Sequence, residues 1–282
     1  MTKEKGWLLI KSFLNTKSVK LLNEELLGLF REATINFSYG YIKVQPFTKA
    51  VPFPLIYLRS INLTELVIDT YLQIEKSGLM THPVCLSDVQ VFNDSDPKEL
   101  PWHTDHSLGG ILAIIYINGG GDRSGSARYI EGTHLKAHDK SMHHVSPTEL
   151  AKYRDNDQIK MLEGSSGDLV LYHINGFHSR APCNTPRTSI RLTFLPKGNE
   201  QGWPCDDIYI PTSAITEKVL TYLPTILKPH DRIPKFTEVD LGAIHYMRKP
   251  LFLGVLPVLR YLKREVLKIL RRKIQLIFDR KL

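Results

Sequence analysis

Apolar residues recur at three- and four-residue steps through Ser18–Ala33, the spacing that lines one face of a helix. A second stripe fills Asn62–Lys76 and opens on Asn-Leu-Thr-Glu, where the asparagine can cap the first free N–H groups. From residue 86 the period changes. Short runs rich in β-branched and aromatic residues, Leu86–Phe92, Ile111–Ile117, Ala127–Ile130, Leu169–His173 and Ser189–Leu195, are punctuated by Gly, Pro, Asp and Asn and read as strands. The Pro- and aromatic-rich run Tyr39–Pro54 reads as loops and edge strands beside a substrate entrance. Leu135–Ser166 interrupts the strand series as an insertion. Within it Ser146-Pro-Thr-Glu149 is a capping box with proline in the first turn, which predicts a short helix to about Tyr153.

With 282 residues and 42% hydrophobic content the chain can bury one sizeable core with helical decoration. We therefore expect one domain over residues 1–245, its core at 86–197. Cys85, Cys183 and Cys205 are odd in number and lack metal-type spacing, which favours a reducing compartment over a disulfide framework. Met-Thr-Lys-Glu-Lys-Gly-Trp at the start has no long apolar run after its charges, so no secretory signal is expected and the protein is read as cytoplasmic.

The tail changes that picture. Nine Lys and Arg between Val258 and Leu282 face only Glu265 and Asp279, so this stretch carries +7 of the chain's net +8. Leu259, Leu262, Val266, Ile269, Leu270, Ile274 and Ile277 form an apolar stripe between the basic residues. Residues 246–282 therefore read as a basic amphipathic C-terminal helix. The uncharged run Leu251–Leu256 before it is far short of the ~20 residues a membrane span needs. Such a helix, over residues 250–282, suits the surface of an anionic membrane; packing on the protein is the competing reading. Nucleic acid is disfavoured, because no aromatic platform or known binding motif accompanies the charge.

Candidate chemistry centres on His103, Asp105 and His178. Residues i and i+2 on a strand share a face, so His103 and Asp105 can reach one ion together. His178 follows after 72 intervening residues, too many for a local zinc knuckle but natural for strands meeting across a barrel. Two imidazoles and a carboxylate suit non-haem iron(II) and leave coordination positions open. Nine residues on, Arg187, Ser189 and Arg191 alternate with Thr188, Ile190 and Leu192, placing donors on one strand face. A guanidinium and a hydroxyl on one face suit a carboxylate, as in a dicarboxylic keto acid.

At these residues the chain resembles the phytanoyl-CoA dioxygenase-like branch of the iron(II)/2-oxoglutarate oxygenases. The similar stretches are Pro101-Trp102-His103-Thr104-Asp105, Ile111–Asn118, Gly125 to His134, and Gly167-Asp168 through His178 to Arg187, within residues 86–197. The resemblance implies a mainly β fold with flanking helices, built on a double-stranded β-helix (jelly-roll or cupin-like) core. It also implies Fe(II) on His103, Asp105 and His178, the distal carboxylate of 2-oxoglutarate on Arg187 and Ser189, and O2 as second cosubstrate. The expected reaction is hydroxylation of an aliphatic C–H group with release of succinate and CO2. The carboxylate Asp105 argues against a halogenase, which in the family carries a small residue there. Where family members usually show Pro-Gly-Ser-His, this chain has Glu131-Gly132-Thr133-His134.

Other residues have plainer readings beside functional ones. Gln90 and Asn93 can hydrogen-bond 2-oxoglutarate or substrate, or simply cap a strand. Arg128 and Arg191 can meet an anionic substrate, though Arg191 can equally reinforce Arg187 or face solvent. His134, His138, His143 and His144 read as a solvated loop, and His106 and His173 as packing or supporting groups. The substrate is expected to be a small molecule or, with a membrane-bound tail, a lipid-linked sugar or acyl chain. A protein or nucleic-acid hydroxylase and a non-catalytic metal-binding membrane-surface module are the alternatives; the oligomeric state is open.

Overall fold

The structure is a computed structural model that describes residues 2–35, 48–52, 63–80, 82–95, 97–105, 109–121, 124–136, 143–196, 209–211, 216–219, 221–222 and 237–239. In chain order the elements are α1 (Thr2–Lys5), β1 (Trp7–Ile10), α2 (Thr16–Ile35), β2 (Thr48–Pro52), α3 (Leu63–Ser77), β3 (Val84–Asp94), β4 (Leu100–His103), β5 (Ile111–Asn118) and β6 (Ala127–Ile130). They continue as α4 (Pro147–Asp155), β7 (Ile159–Leu162), β8 (Leu169–His173), β9 (His178–Arg180), β10 (Arg187–Pro196), β11 (Tyr209–Pro211) and β12 (Thr237–Val239).

Successive strands are dealt between two antiparallel sheets, one ordered β1-β8-β5-β10-β3-β2 and the other β4-β9-β6-β7. The chain crosses from β3 to β4, back to β5, over to β6 and β7, back to β8, over to β9 and back to β10. That alternation is the winding of a double-stranded β-helix, and it closes the chemistry-bearing strands β4, β9 and β10 around one interior. A separate short parallel pair joins β11 and β12.

Alternation along each strand sorts the residues into three apolar layers. Ile190, Leu192 and Phe194 of β10 turn outward with Ile111, Ala113 and Ile115 of β5, under Leu22 and Leu26 of α2 and Ile68, Tyr71 and Ile74 of α3. The predicted helical stripes thus brace the outer face of the larger sheet. Between the sheets lie Leu112, Ile114, Tyr116, Val170 and Tyr172, packed on Ala127, Tyr129 and Leu162 of the smaller sheet. Trp102, Ile130, Tyr153 and Phe177 form a third cluster outside the smaller sheet, covered by α4.

The α4 cap is the predicted one: the Ser146 hydroxyl accepts from the Glu149 N–H at 3.2 Å, with Pro147 in the first turn. The stretch Leu135–Ser166 is nevertheless not a pure insertion. Its residues Ile159–Leu162 form β7 and pair with β6 at the edge of the smaller sheet. The run Tyr39–Pro54 contributes the edge strand β2; its remainder, and the tail at 246–282, lie outside the described residues. Among the described residues no helix is long and apolar enough to cross a membrane.

Candidate active site

β4 ends on His103 and β9 begins on His178, and the antiparallel register sets these two residues directly opposite each other. Their rings lie 4.6 Å apart between centroids. Asp105 follows two residues after His103 and is fixed by its own backbone, whose N–H donates to the Ile174 carbonyl at 3.1 Å. Its carboxylate stands 3.2 Å from His103 Nε2 and 3.3 Å from His178 Nε2. One donor atom from each of the three residues falls within 4.8 Å of the others.

The orientation of both imidazoles is set by the chain itself. His103 Nδ1 lies 2.6 Å from the Pro101 carbonyl, and His178 Nδ1 lies 2.9 Å from the Gly176 carbonyl. A carbonyl accepts, so each Nδ1 carries the proton and each neutral ring turns a lone pair at Nε2 toward Asp105. Two lone pairs facing a carboxylate repel unless a cation stands between them. This is the donor set of a divalent metal site with three protein ligands, and its outer partners are backbone carbonyls. Without a metal, a proton on His103 Nε2 would relieve the same repulsion. For His103, burial opposes the charge but the contact with Asp105 and the Pro101 carbonyl outweigh it, so its pKa lies above the ordinary 6.5. Burial likewise opposes ionisation of Asp105; contacts with His103 and His178, with the charges of His178 and Arg191, outweigh it and hold the carboxyl far below the usual carboxylate range.

The turn before this site carries Glu131 where the sequence resemblance leads one to expect proline. Gly132 adopts φ +76°, a conformation that favours glycine, and Thr133 starts a short 3-10 turn. The Thr133 hydroxyl donates to the Ile130 carbonyl at 2.7 Å and accepts from the Phe177 N–H at 2.9 Å, tying β6 to the residue before His178.

Across the interior, β10 presents Arg187, Ser189 and Arg191 on the face opposite its outward Ile190, Leu192 and Phe194. Arg187 is 4% exposed; it donates to the Gly125 carbonyl and lies 3.5 Å from Asp94, with Tyr116 beneath it at 5.9 Å. Asp94 also holds Arg180, at 3.3 Å. Ser189 is fully buried, and its hydroxyl and Arg187 Nε lack hydrogen-bond partners. Buried donors with nothing to donate to are costly, and two on one inward face fit a carboxylate ligand.

The remaining expected residues divide. Gln90 stands opposite Arg191 in the β3–β10 register and shares its face, whereas Asn93 stands opposite Thr188 on the other face of β3 with Val91. The structure does not bring Gln90 and Asn93 together. Arg128 points out of the barrel, stacked over Trp102 at 4.9 Å and paired with Glu99 at 2.5 Å. His134 and His173 contact each other, their rings 5.3 Å apart. His134 is not a solvated loop residue, since it binds the Lys3 carbonyl at 2.7 Å. His143 and His144 are exposed as expected but run along β4, with His144 opposite His103 in a bridge. His106 and His138 lie outside the described residues.

Sequence reasoning missed Asp94, whose setting Asn-Asp-Ser-Asp looks like a loop, and Tyr172, whose ring lies 5.0 Å from that of His178. The alternation in Leu169–His173 was the available signal for Tyr172, because it turns inward with Val170.

No protein-family model matches the chain, and no curated protein matches it. Solved structures do. EctD from S. alaskensis with bound Fe aligns at a TM-score of 0.55 and 16% identity, over 70% of this chain and 74% of that one. The carbocyclase SnoK from nogalamycin biosynthesis, described as non-heme and alpha-ketoglutarate-dependent, aligns at 0.51 and 16% identity, over 69% and 81%. HygX from Streptomyces hygroscopicus, with nickel and 2-oxoglutarate bound, aligns at 0.50 and 15% identity, over 69% and 84%. At these identities the likeness is one of fold: the chain shares the double-stranded β-helix of these proteins.

Proposed function

We propose that the protein is an iron(II)- and 2-oxoglutarate-dependent oxygenase that hydroxylates an aliphatic C–H group of a small or lipid-linked substrate, releasing succinate and CO2. The observation that carries this reading is the convergence of His103 Nε2, Asp105 and His178 Nε2 within 4.8 Å, with both Nδ1 atoms already on carbonyls. The nickel and 2-oxoglutarate seen in HygX and the iron in EctD support it.

Iron(II) with 2-oxoglutarate, when bound, supplies the activation of O2 that breaks an unactivated C–H bond. This chain's residues supply everything else. His103, Asp105 and His178 hold the metal and leave its remaining positions free. Asp105 stays ionised over the whole working pH range, so the ligand set needs no deprotonation at that position. Arg187 and Ser189 grip the distal carboxylate, and Asp94 keeps the Arg187 guanidinium in place. Tyr116, Tyr172, Leu112 and Ile114 wall the interior with apolar surface, which excludes water from the reacting carbon.

A lipid-linked substrate rests on the tail at 250–282, read from sequence as a peripheral anchor on the cytoplasmic face of an anionic membrane. Co-sedimentation of the full chain with phosphatidylglycerol vesicles, weakening with salt, is the result expected of it.

The test of the activity is anaerobic titration with Fe(II) and 2-oxoglutarate, followed by the metal-to-keto-acid charge-transfer absorption. The band should appear in the parent, vanish in His178→Ala and need more 2-oxoglutarate in Arg187→Ala. A folded, iron-binding protein without the band would overturn the assignment.

A further inference from the structure

We propose that Arg191 anchors an anionic group of the primary substrate, a carboxylate, sulfonate or phosphate, at a subsite separate from the grip of Arg187 and Ser189 on 2-oxoglutarate. This rests on the oxygenase reading above and specifies its substrate class.

The strand registers place Arg191 on the metal side of that grip. His178 packs on Tyr172; Tyr172 aligns with Leu112 of β5, and Leu112 with Thr193 of β10. The Thr193 end of β10 is therefore the metal end. Counting back along the inward face, Arg191 is one pleat from Thr193, Ser189 two and Arg187 three. The charge of Arg191 correspondingly bears on Asp105 and His103, whereas that of Arg187 bears on Tyr116 and Cys183.

Arg191 also differs from its neighbours in what holds it. Arg187 and Arg180 share Asp94, and Arg128 has Glu99. Arg191 has no carboxylate partner among the described residues; its Nε is buried without a hydrogen bond, and its guanidinium lies over the Phe92 ring at 4.7 Å. An aromatic face orients a guanidinium but leaves its in-plane donors free for an oxyanion.

Charge balance points the same way. A divalent metal is neutralised by Asp105 and the near carboxylate of 2-oxoglutarate. The distal carboxylate is met by Arg187, which shares Asp94 with Arg180. Among the described residues Arg191 is the arginine of this interior without an ion-paired carboxylate, in a half-buried site where an unpaired charge is costly and an incoming anion is favoured. Gln90, opposite Arg191 on the same face, adds an amide that can donate to the same group.

The test is anaerobic calorimetry on the full chain loaded with Fe(II) and saturating 2-oxoglutarate, using acetate, methanesulfonate, methyl phosphate and the neutral acetamide as probes. At least one anion should bind the parent about tenfold more tightly than acetamide. Arg191→Gln should lose that preference and Arg191→Lys keep part of it, while 2-oxoglutarate affinity, read from the charge-transfer band, moves less than about twofold in both. Phosphatidylglycerol vesicles form a second arm, and Arg191-dependent binding there places the anion on a lipid headgroup instead of a free molecule. Loss of 2-oxoglutarate affinity by about tenfold in Arg191→Gln would make Arg191 the keto-acid anchor and overturn the proposal. So would a parent that does not discriminate anions from acetamide. A parent without the band fails at the oxygenase reading itself, and the subsite falls with it.

Discussion

Asp94 stands opposite Arg187 in the β3–β10 register and divides its buried carboxylate between Arg187 and Arg180. Arg187, the outermost inward donor of β10, thus depends on a residue of the neighbouring strand. Replacing Asp94 by Ala removes the carboxylate that both guanidinium groups share. Breaking a buried pair costs about 3–5 kcal/mol, and on the proposed function keto-acid binding should weaken with it. Chemical denaturation and keto-acid titration should both register the change. Unaltered stability would mean that the two arginines find other acceptors.

His103→Ala and His178→Ala should each weaken Fe(II) binding by more than the roughly 10–100-fold that loss of an outer partner causes. Anaerobic Fe(II) titration reads this directly, and retention of parent affinity in either variant would remove that residue from the ligand set.

Gly176 offers a subtler probe of the same site. Its carbonyl receives His178 Nδ1, and a methyl group on its Cα would run into the Tyr129 phenol. Gly176→Ala should destabilise the fold by about 1–3 kcal/mol, the usual cost of overpacking, and loosen Fe(II) binding through the displaced carbonyl. Unchanged stability in thermal or denaturant unfolding would contradict the contact.

The pH response separates the two histidine environments. In the metal-free protein the His103 pKa is raised above the ordinary 6.5. Its protonation stabilises the fold fully below the unfolded value, and that contribution is lost as pH rises through the folded one. Iron(II) competes with the same proton, so its stabilisation should grow over that interval. Melting curves with and without Fe(II) should diverge as pH rises from about 5.5 to 8; a constant gap would mean no proton is displaced.

His173 behaves oppositely. Burial and the nearby His134 push its pKa down to about 4. Between that value and about 6.5 the unfolded chain holds the extra proton, so the contribution is complete above 6.5 and drains away as pH falls toward 4. Neutral His173→Asn should flatten this stretch of the stability curve, a difference on the order of 3 kcal/mol by acid titration of unfolding. An identical acid profile in the variant would place the acid sensitivity elsewhere.

What was legible in the sequence followed from the length and regularity of each element. Ile111–Ile117 and Leu169–His173 are buried on both faces, so their unbroken apolar runs were plain, and the triad was visible because His-x-Asp reads as one strand end. The strands β4, β7 and β9 are only three or four residues long, too short for a period to show, yet two of them carry His103 and His178. Reading Leu135–Ser166 as an insertion failed for that reason at Ile159–Leu162. Pairing Gln90 with Asn93 overlooked a signal that was present: residues three apart on a strand face opposite ways. Asp94 was hidden because its value comes from Arg180 and Arg187, partners about 90 residues away that local pattern cannot reveal.

His103 and His178 belong to the smaller sheet, and Arg187 and Ser189 to the larger. A keto acid spanning from metal to arginine is therefore a tie-rod between the two walls of the barrel. Neither metal nor keto acid alone bridges that gap, so their joint effect on resistance to unfolding should exceed the sum of their separate effects. Breathing of the barrel and loading of the site become one equilibrium.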